Sequence, residues 1–197
     1  MSTSKNDDIA LRIQDLFVSE DYGTPLQGVN LRIRYGEIHG IVGDNVSGKS
    51  TLVNVLSGTI PKFSGEIYVN NMFFKNPKIG KVKSWGIETI HKQVRVVPEL
   101  SVYDNIFLNQ WKRMKWLSLD PYTMMKQAKN ILDQFKTGNE VDVTKPIRFY
   151  PKNIHNIVDL ARSLCKDSTI IIVDEISNRL DQIELETFHY LLSKQIE

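Results

Sequence analysis

The chain has 197 residues, 41% hydrophobic and 24% charged, ordinary proportions for one globular domain or a core domain with a smaller attachment. Twenty-five Lys and Arg against 23 Asp and Glu leave a net charge of +2, too little to argue for nucleic acid on electrostatics alone. The single cysteine, Cys165, excludes an internal disulfide framework and suits a reducing compartment, while the absence of any bilayer-length apolar run and of a signal-peptide core in the polar stretch 1–8 predicts a cytoplasmic protein.

Residues 9–18 and 28–35 alternate apolar and polar side chains and predict half-solvated strands, joined through Asp21-Tyr22-Gly23-Thr24-Pro25. Two such strands this early predict an antiparallel β layer beside a core sheet. Glu37-Ile38-His39-Gly40-Ile41-Val42 is short, apolar and β-branched, and predicts a buried strand with His39 packed in the core. It runs into Gly43-Asp44-Asn45-Val46-Ser47-Gly48-Lys49-Ser50-Thr51, which fits the phosphate-loop pattern G-x-x-x-x-G-K-[ST]. Leu52, Val53, Val55 and Leu56 then recur at helical spacing, with Gly58 as a stop signal. Strand, glycine loop and helix are the context the pattern requires. Glycines let backbone N–H groups curl around an anion, and the helix N-terminus adds partial positive charge. Lys49 is placed to reach β- and γ-phosphates, and the Ser50 hydroxyl to ligate Mg²⁺.

Further on, residues 64–70 predict a strand ending at an Asn70-Asn71 turn, and residues 85–90 lead into a core strand that includes His91 and is broken by Pro98. Ser101 is a candidate N-cap for a helix carrying Val102, Asn105, Ile106 and Asn109. Met124, Ala128, Ile131, Leu132 and Phe135 define an amphipathic helix, with Pro121 in its first turn and Gly138 beyond its end. Ile154, Ile157, Val158, Ala161, Leu164 and Cys165 form a second stripe. The run 168–175 is the most β-branched in the chain and ends in Asp174-Glu175, where an α/β sheet places its ligand chemistry. A last helix spans about 182–196. The predicted fold is α/β, with a mixed central sheet, an antiparallel β layer and inserted helices. The ATP-binding core is assigned to 1–98 and 166–197, and a helical subdomain to 99–165.

An aspartate closing an apolar strand downstream of a phosphate loop holds the Mg²⁺ site in P-loop enzymes, which points to Asp174, and Glu175 is then the candidate to polarise the attacking water. These residues resemble the nucleotide-binding domains of ATP-binding cassette proteins, and among them the N-terminal ATPase half of bacterial sugar importers of the ribose and galactoside type. The likeness is carried by residues 36–45 running into 48–52, by Ser57-Gly58, by 64–67, by 86–91, by 97–102, by 105–108, by 161–164 and by 172–175, in the family's order and spacing. It implies a P-loop NTPase fold of the cassette type, ATP and Mg²⁺ as cofactors, and a second cassette domain as partner, from the same or a different chain. It further implies hydrolysis that drives a partner's motion, with a membrane permease as the partner of a transporter and peripheral placement at the inner face of the membrane.

The departures from the family pattern carry equal weight. The signature segment falls on Tyr150-Pro151-Lys152-Asn153-Ile154, where Pro151 has neither hydroxyl nor N–H and Asn153 adds bulk. The glutamine position of the loop beside the metal is Lys92, with Gln93 one place late: either the loop slips to present Gln93, or the metal is held poorly beside an ammonium. Arg179 stands where the family prefers a small residue, between Asn178 and Leu180. The family's switch histidine has no counterpart, because the chain ends at Glu197 before the strand that bears it, as a fragment would. Tyr22 is the candidate to stack on adenine, with Phe17 as its rival. Trp111-Lys112-Arg113-Met114-Lys115-Trp116 reads as a solvated loop anchored by its tryptophans. The expected function is an ATP-binding cassette domain coupling Mg·ATP binding and hydrolysis to a partner. The alternative is an ATP-responsive regulatory or dimerisation module with little turnover.

Overall fold

Strand β1 (Ile9–Val18) is the centre of a four-stranded antiparallel sheet in which it pairs with β2 (Leu26–Arg34) on one side and β3 (Ser64–Val69) on the other, while β4 (Met72–Phe73) closes the order β2-β1-β3-β4. This computed structural model describes residues 8–74, 79–108, 110, 121–135 and 141–196, so the Trp111–Trp116 segment, Asn109 and Gly138 lie outside the described residues. The alternation along β1 buries Leu11 and Ile13 on one face, as a period of two requires, and Leu16 and Val18 resume it one place out of step. The period is interrupted at Asp15, which bulges with φ +46°. Asn30 latches the bulge: its Oδ1 accepts from the Asp15 amide at 3.0 Å and its Nδ2 donates to the Asp15 carboxylate at 3.2 Å. Opposite, Gly65 has φ +94°, and an added Cβ would lie 2.2 Å from the Asp15 carbonyl oxygen. Asn70 and Asn71, at φ +51° and +62°, supply the left-handed pair that a tight β3–β4 hairpin needs. The turn matches the sequence; the short β4 after it was not anticipated.

Helix α1 (Lys49–Leu56) buries Leu52, Val55 and Leu56 in one hydrophobic cluster with Leu11, Ile13, Leu16 and Ile67 of the sheet. Helix α2 (Ile79–Val82) is a single turn ahead of β5 (Ile87–Ile90), which pairs with β6 (Ile170–Val173) in a separate two-stranded sheet. The buried strand expected over 37–42 is not formed. That segment is irregular, with Ile38 75% and Val42 97% exposed, and His39 is exposed rather than packed. A strand exists only through ladder bonds to a neighbour, and among the described residues none pairs with this run. His91 lies just beyond β5 and is half-buried, not within a strand.

The chain forms two compact units, one of Met1–Thr89, Ser168–Asp174 and Ile196–Glu197, the other of Ile90–Asp167 and Glu175–Gln195. The second unit is built by α3 (Val102–Ile106), α4 (Pro121–Gln134), α5 (Lys152–Leu164) and most of α6 (Gln182–Ile196). Helix α3 begins where expected, its Ser101 hydroxyl accepting from the Asp104 amide, but ends at Ile106 rather than running to Asn109. Asn105, fully buried, holds the preceding loop: Oδ1 accepts from Val97 N–H at 2.7 Å, and Nδ2 donates to the carbonyls of Val97, Leu100 and Ser101. Helix α5 buries Ile154, Ile157, Val158, Ala161 and Leu164 of the stripe read from spacing, while Cys165 is its C-cap and half-buried. Among the described residues no helix is long and apolar enough to cross a membrane.

Candidate functional site

The glycine loop is shaped by contacts that only glycine permits. Gly48, the N-cap of α1, has φ +87°, and an added Cβ would approach Leu26 Cδ2 to 2.6 Å. At Gly43 an added Cβ would meet the Ser47 hydroxyl at 2.6 Å. Ser47 closes the turn from within, its amide and hydroxyl donating to the Asp44 carbonyl at 3.1 and 2.7 Å. Asn45 and Val46 form the exposed tip. Thr51 is buried and its hydroxyl donates to the Thr24 carbonyl at 2.7 Å, which clamps the start of α1 to the segment leading into β2. Thr24 and Leu26 are therefore supports that pattern matching alone did not single out. Their place in the chain brings Tyr22, 37% exposed, to within two residues of the clamp. Phe17 instead lays its ring over Gly28 of β2.

Lys49 is half-buried, and its ammonium donates to the carbonyls of Gly43 and Asp44 (2.7 Å for the latter) and to the Ser47 hydroxyl at 3.2 Å. A lysine has three donors, and here all three rest on oxygens of the loop itself. An anion entering the loop exchanges these weak partners for its own charged oxygens, so a polyphosphate fits the residues present. The metal requirement is also met in kind. Among the described residues no three His, Cys, Asp or Glu cluster, but Mg²⁺ takes one or two protein ligands and completes its shell with phosphate oxygens and water. The exposed Ser50 hydroxyl in the first turn of α1 and Asp174 immediately after β6 are donors of that kind, both in the first unit.

Glu175 begins the second segment of the second unit, in a left-handed conformation (φ 47°, ψ 52°). Its carboxylate accepts from the Lys92 ammonium at 2.6 Å, with the two side chains 44% and 62% exposed. Gln93 is exposed in the bend beside it. Arg179, the bulky departure noted in the sequence, is buried: Nη2 pairs with Asp159 of α5 at 2.9 Å, and Nη1 donates to the His91 carbonyl. Arg162 reaches the same carboxylate and the Arg95 carbonyl. Asp159 was not singled out, although its i,i+3 spacing to Arg162 on one helix face signals a pair. At the signature position Pro151 is the N-cap of α5 and gives no side-chain bond, while Lys152 and Asn153 are exposed.

The family model described as ABC transporter matches residues 26–178. The chain is 33% identical over 180 residues to the ribose import ATP-binding protein RbsA of Lactococcus lactis subsp. lactis, covering 89% of this chain and 36% of that protein. It is 30% identical over 181 residues to the xylose import ATP-binding protein XylG of Pseudomonas syringae pv. tomato, covering 91% of this chain and 34% of that one. The chain thus spans about a third of the length of the curated relatives it matches. In structure it is similar to the ATP-binding cassette MJ0796 in a dimeric post-hydrolysis state bound to ADP and Pi (TM-score 0.77, 22% identity, 95% of this chain and 83% of that one). It is also similar to cbiO1 of Clostridium perfringens, with TM-score 0.73, 25% identity, and coverage of 96% and 75%. The phosphate-loop geometry, the α/β architecture and the family match over most of the chain agree: the chain belongs to the ABC transporter family and has the P-loop fold of its ATP-binding cassettes.

Proposed function

We propose that this chain binds Mg·ATP and couples its binding and hydrolysis to a partner, as the ATPase component of a sugar-type importer. The observation that carries the reading is the loop from Gly43 to Thr51, where Gly48 at φ +87° caps α1 and the Lys49 ammonium lies on oxygens of the loop itself. The names of the ribose and xylose import relatives supply the sugar class. In this reading Gly43 to Gly48 and the first amides of α1 hold the phosphates, Lys49 neutralises charge on them, Tyr22 stacks on the base, and Ser50, Asp174 and Gln93 serve the metal. Glu175 polarises the attacking water. The partners are a second cassette and a membrane permease at the inner face of the membrane.

A second reading, an ATP-responsive module with little turnover, is favoured by two observations: Glu175 is engaged by Lys92, and the signature position offers Pro151 in place of a hydroxyl donor. Titration with Mg·ATP followed by a phosphate-release assay tests both. Saturable binding lost in Lys49→Ala supports either; release lost in Glu175→Gln selects the ATPase. Binding untouched by Lys49→Ala sinks the site.

A further inference from the structure

Arg12 of β1 stands opposite Arg32 of β2 on one side and Tyr68 of β3 on the other, and Tyr68 stands opposite Phe73 of β4. One row of side chains therefore crosses all four strands, within the first compact unit. Arg32 is exposed, Arg12 half-buried and Phe73 47% exposed. Like charges directly opposite on neighbouring strands destabilise a sheet. Among the described residues neither guanidinium is paired with a carboxylate. Arg12 instead lies over the Tyr68 ring, 4.2 Å from its centroid, and the Tyr68 and Phe73 rings are 5.3 Å apart. The row thus runs from two unneutralised cations to an aromatic pair.

We propose that this row docks an extended acidic segment of a partner protein, with Asp or Glu at i and i+2 and a large apolar side chain at i+4. Strands lie about 4.8 Å apart, so the row is roughly 14 Å long. Alternate side chains of an extended segment recur about every 6.7 Å on one face, which sets carboxylates over Arg32 and Arg12 and the apolar group over the Tyr68–Phe73 pair. A second copy is a poor occupant, because isologous pairing of this row brings arginine against arginine. A nucleic acid is a poor one too. It carries charge along its whole length, and at the aromatic end it meets the Glu66 carboxylate, which accepts from the Tyr68 hydroxyl at 3.0 Å. The proposed segment is uncharged at that end. Nucleotide binding by the glycine loop plays no part in this contact.

The probe is a fluorescein-labelled Glu-Thr-Glu-Thr-Phe peptide, titrated with the chain and followed by anisotropy at low salt. Saturable binding with a Kd below about 1 mM is expected. Arg32→Gln is expected to weaken it about two- to five-fold, and Arg32→Glu by about tenfold. A peptide with Gln for both Glu, or with Ser for Phe, is expected to bind more weakly than the parent. In the free chain, Arg32→Glu sets a carboxylate opposite Arg12, and the thermal midpoint is expected to rise by about 1–3 °C, which separates lost docking from lost fold. If the peptide does not bind saturably, or binds Arg32→Glu as tightly as the unaltered chain, the proposal fails. It fails also if ten-residue oligo(dT) binds more tightly than the peptide and displaces it, because the row is then a nucleic-acid platform. A midpoint that stays the same or falls in Arg32→Glu means that the two arginines do not repel, and removes the reason for an external anion.

Discussion

Arg179 and Asp159 meet at 2.9 Å with side chains 8% and 5% exposed, so a residue of the turn after β6 is tied through a buried charge to the middle of α5. Asp159 also accepts from Arg162 and, at 3.4 Å, from the Arg95 amide. Removing this shared anion leaves two arginines without it, whereas removing Arg179 leaves Asp159 still neutralised by Arg162. Asp159→Ala is therefore expected to lower the unfolding free energy by about 3–5 kcal/mol and Arg179→Ala by clearly less. The Arg179 Nε, buried and without a partner, already detracts from what that side chain contributes. Urea titrations with unchanged slope would read the difference.

Asn105 satisfies four backbone groups from a fully buried position. Asn105→Ala leaves the Val97 N–H without its partner, whereas the Val97, Leu100 and Ser101 carbonyls keep the amides of Leu100, Ile147 and Asn105, so a loss of about 1–3 kcal/mol is expected. Asn105→Asp keeps the acceptor but forfeits the amide donors and buries a charge, and its thermal midpoint should fall further than that of the alanine variant.

Gly48→Ala meets both a positive φ and the Leu26 side chain. Strain of this kind costs about 1–2 kcal/mol and shifts the loop backbone that the proposed function assigns to the phosphates. Fluorescent-nucleotide binding is expected to weaken by at least tenfold while the chain stays folded by circular dichroism. Thr51→Val removes the clamp on Thr24, a single neutral hydrogen bond of about 1 kcal/mol, and should weaken nucleotide binding a few-fold.

Burial pushes the Cys165 thiol up from its ordinary 9.0 to about 11. At pH 8 its thiolate is then about a hundredfold scarcer in the folded chain than in the unfolded one, and a disulfide-exchange reagent should react correspondingly slowly until urea is added. Because the folded value is the higher one, the associated stability is intact below pH 9 and drains away between pH 9 and 11. Cys165→Ser should flatten that alkaline limb.

Local signals were the legible ones. The α5 stripe, the Ser101 cap, the Asn70-Asn71 turn and the glycine loop each rest on residues within a few positions of one another, so spacing and turn chemistry suffice. The run 37–42 has every intrinsic mark of a strand, yet strands depend on neighbours, and composition says nothing about whether a neighbour is at hand. Helix α3 is shorter than its apolar spacing implied, since periodicity locates a helix better than it locates its end. The site divides in the same way. Lys49 and Ser50 could be named from a nine-residue pattern, but the Lys92–Glu175 pair spans 83 positions and no pattern foretells it. Arg179 looked out of place only until Asp159 came into view as its counter-ion.

The uncovered ribbon from Ile38 to Val46 has a practical result. Ile38, Ile41, Val42 and Val46 each expose branched hydrocarbon on unladdered backbone, which is the kind of segment that recruits copies of itself. Solutions of this chain will scatter light increasingly as they are concentrated, and a lysine placed at Val42, the most solvent-facing of the four, will keep them clear.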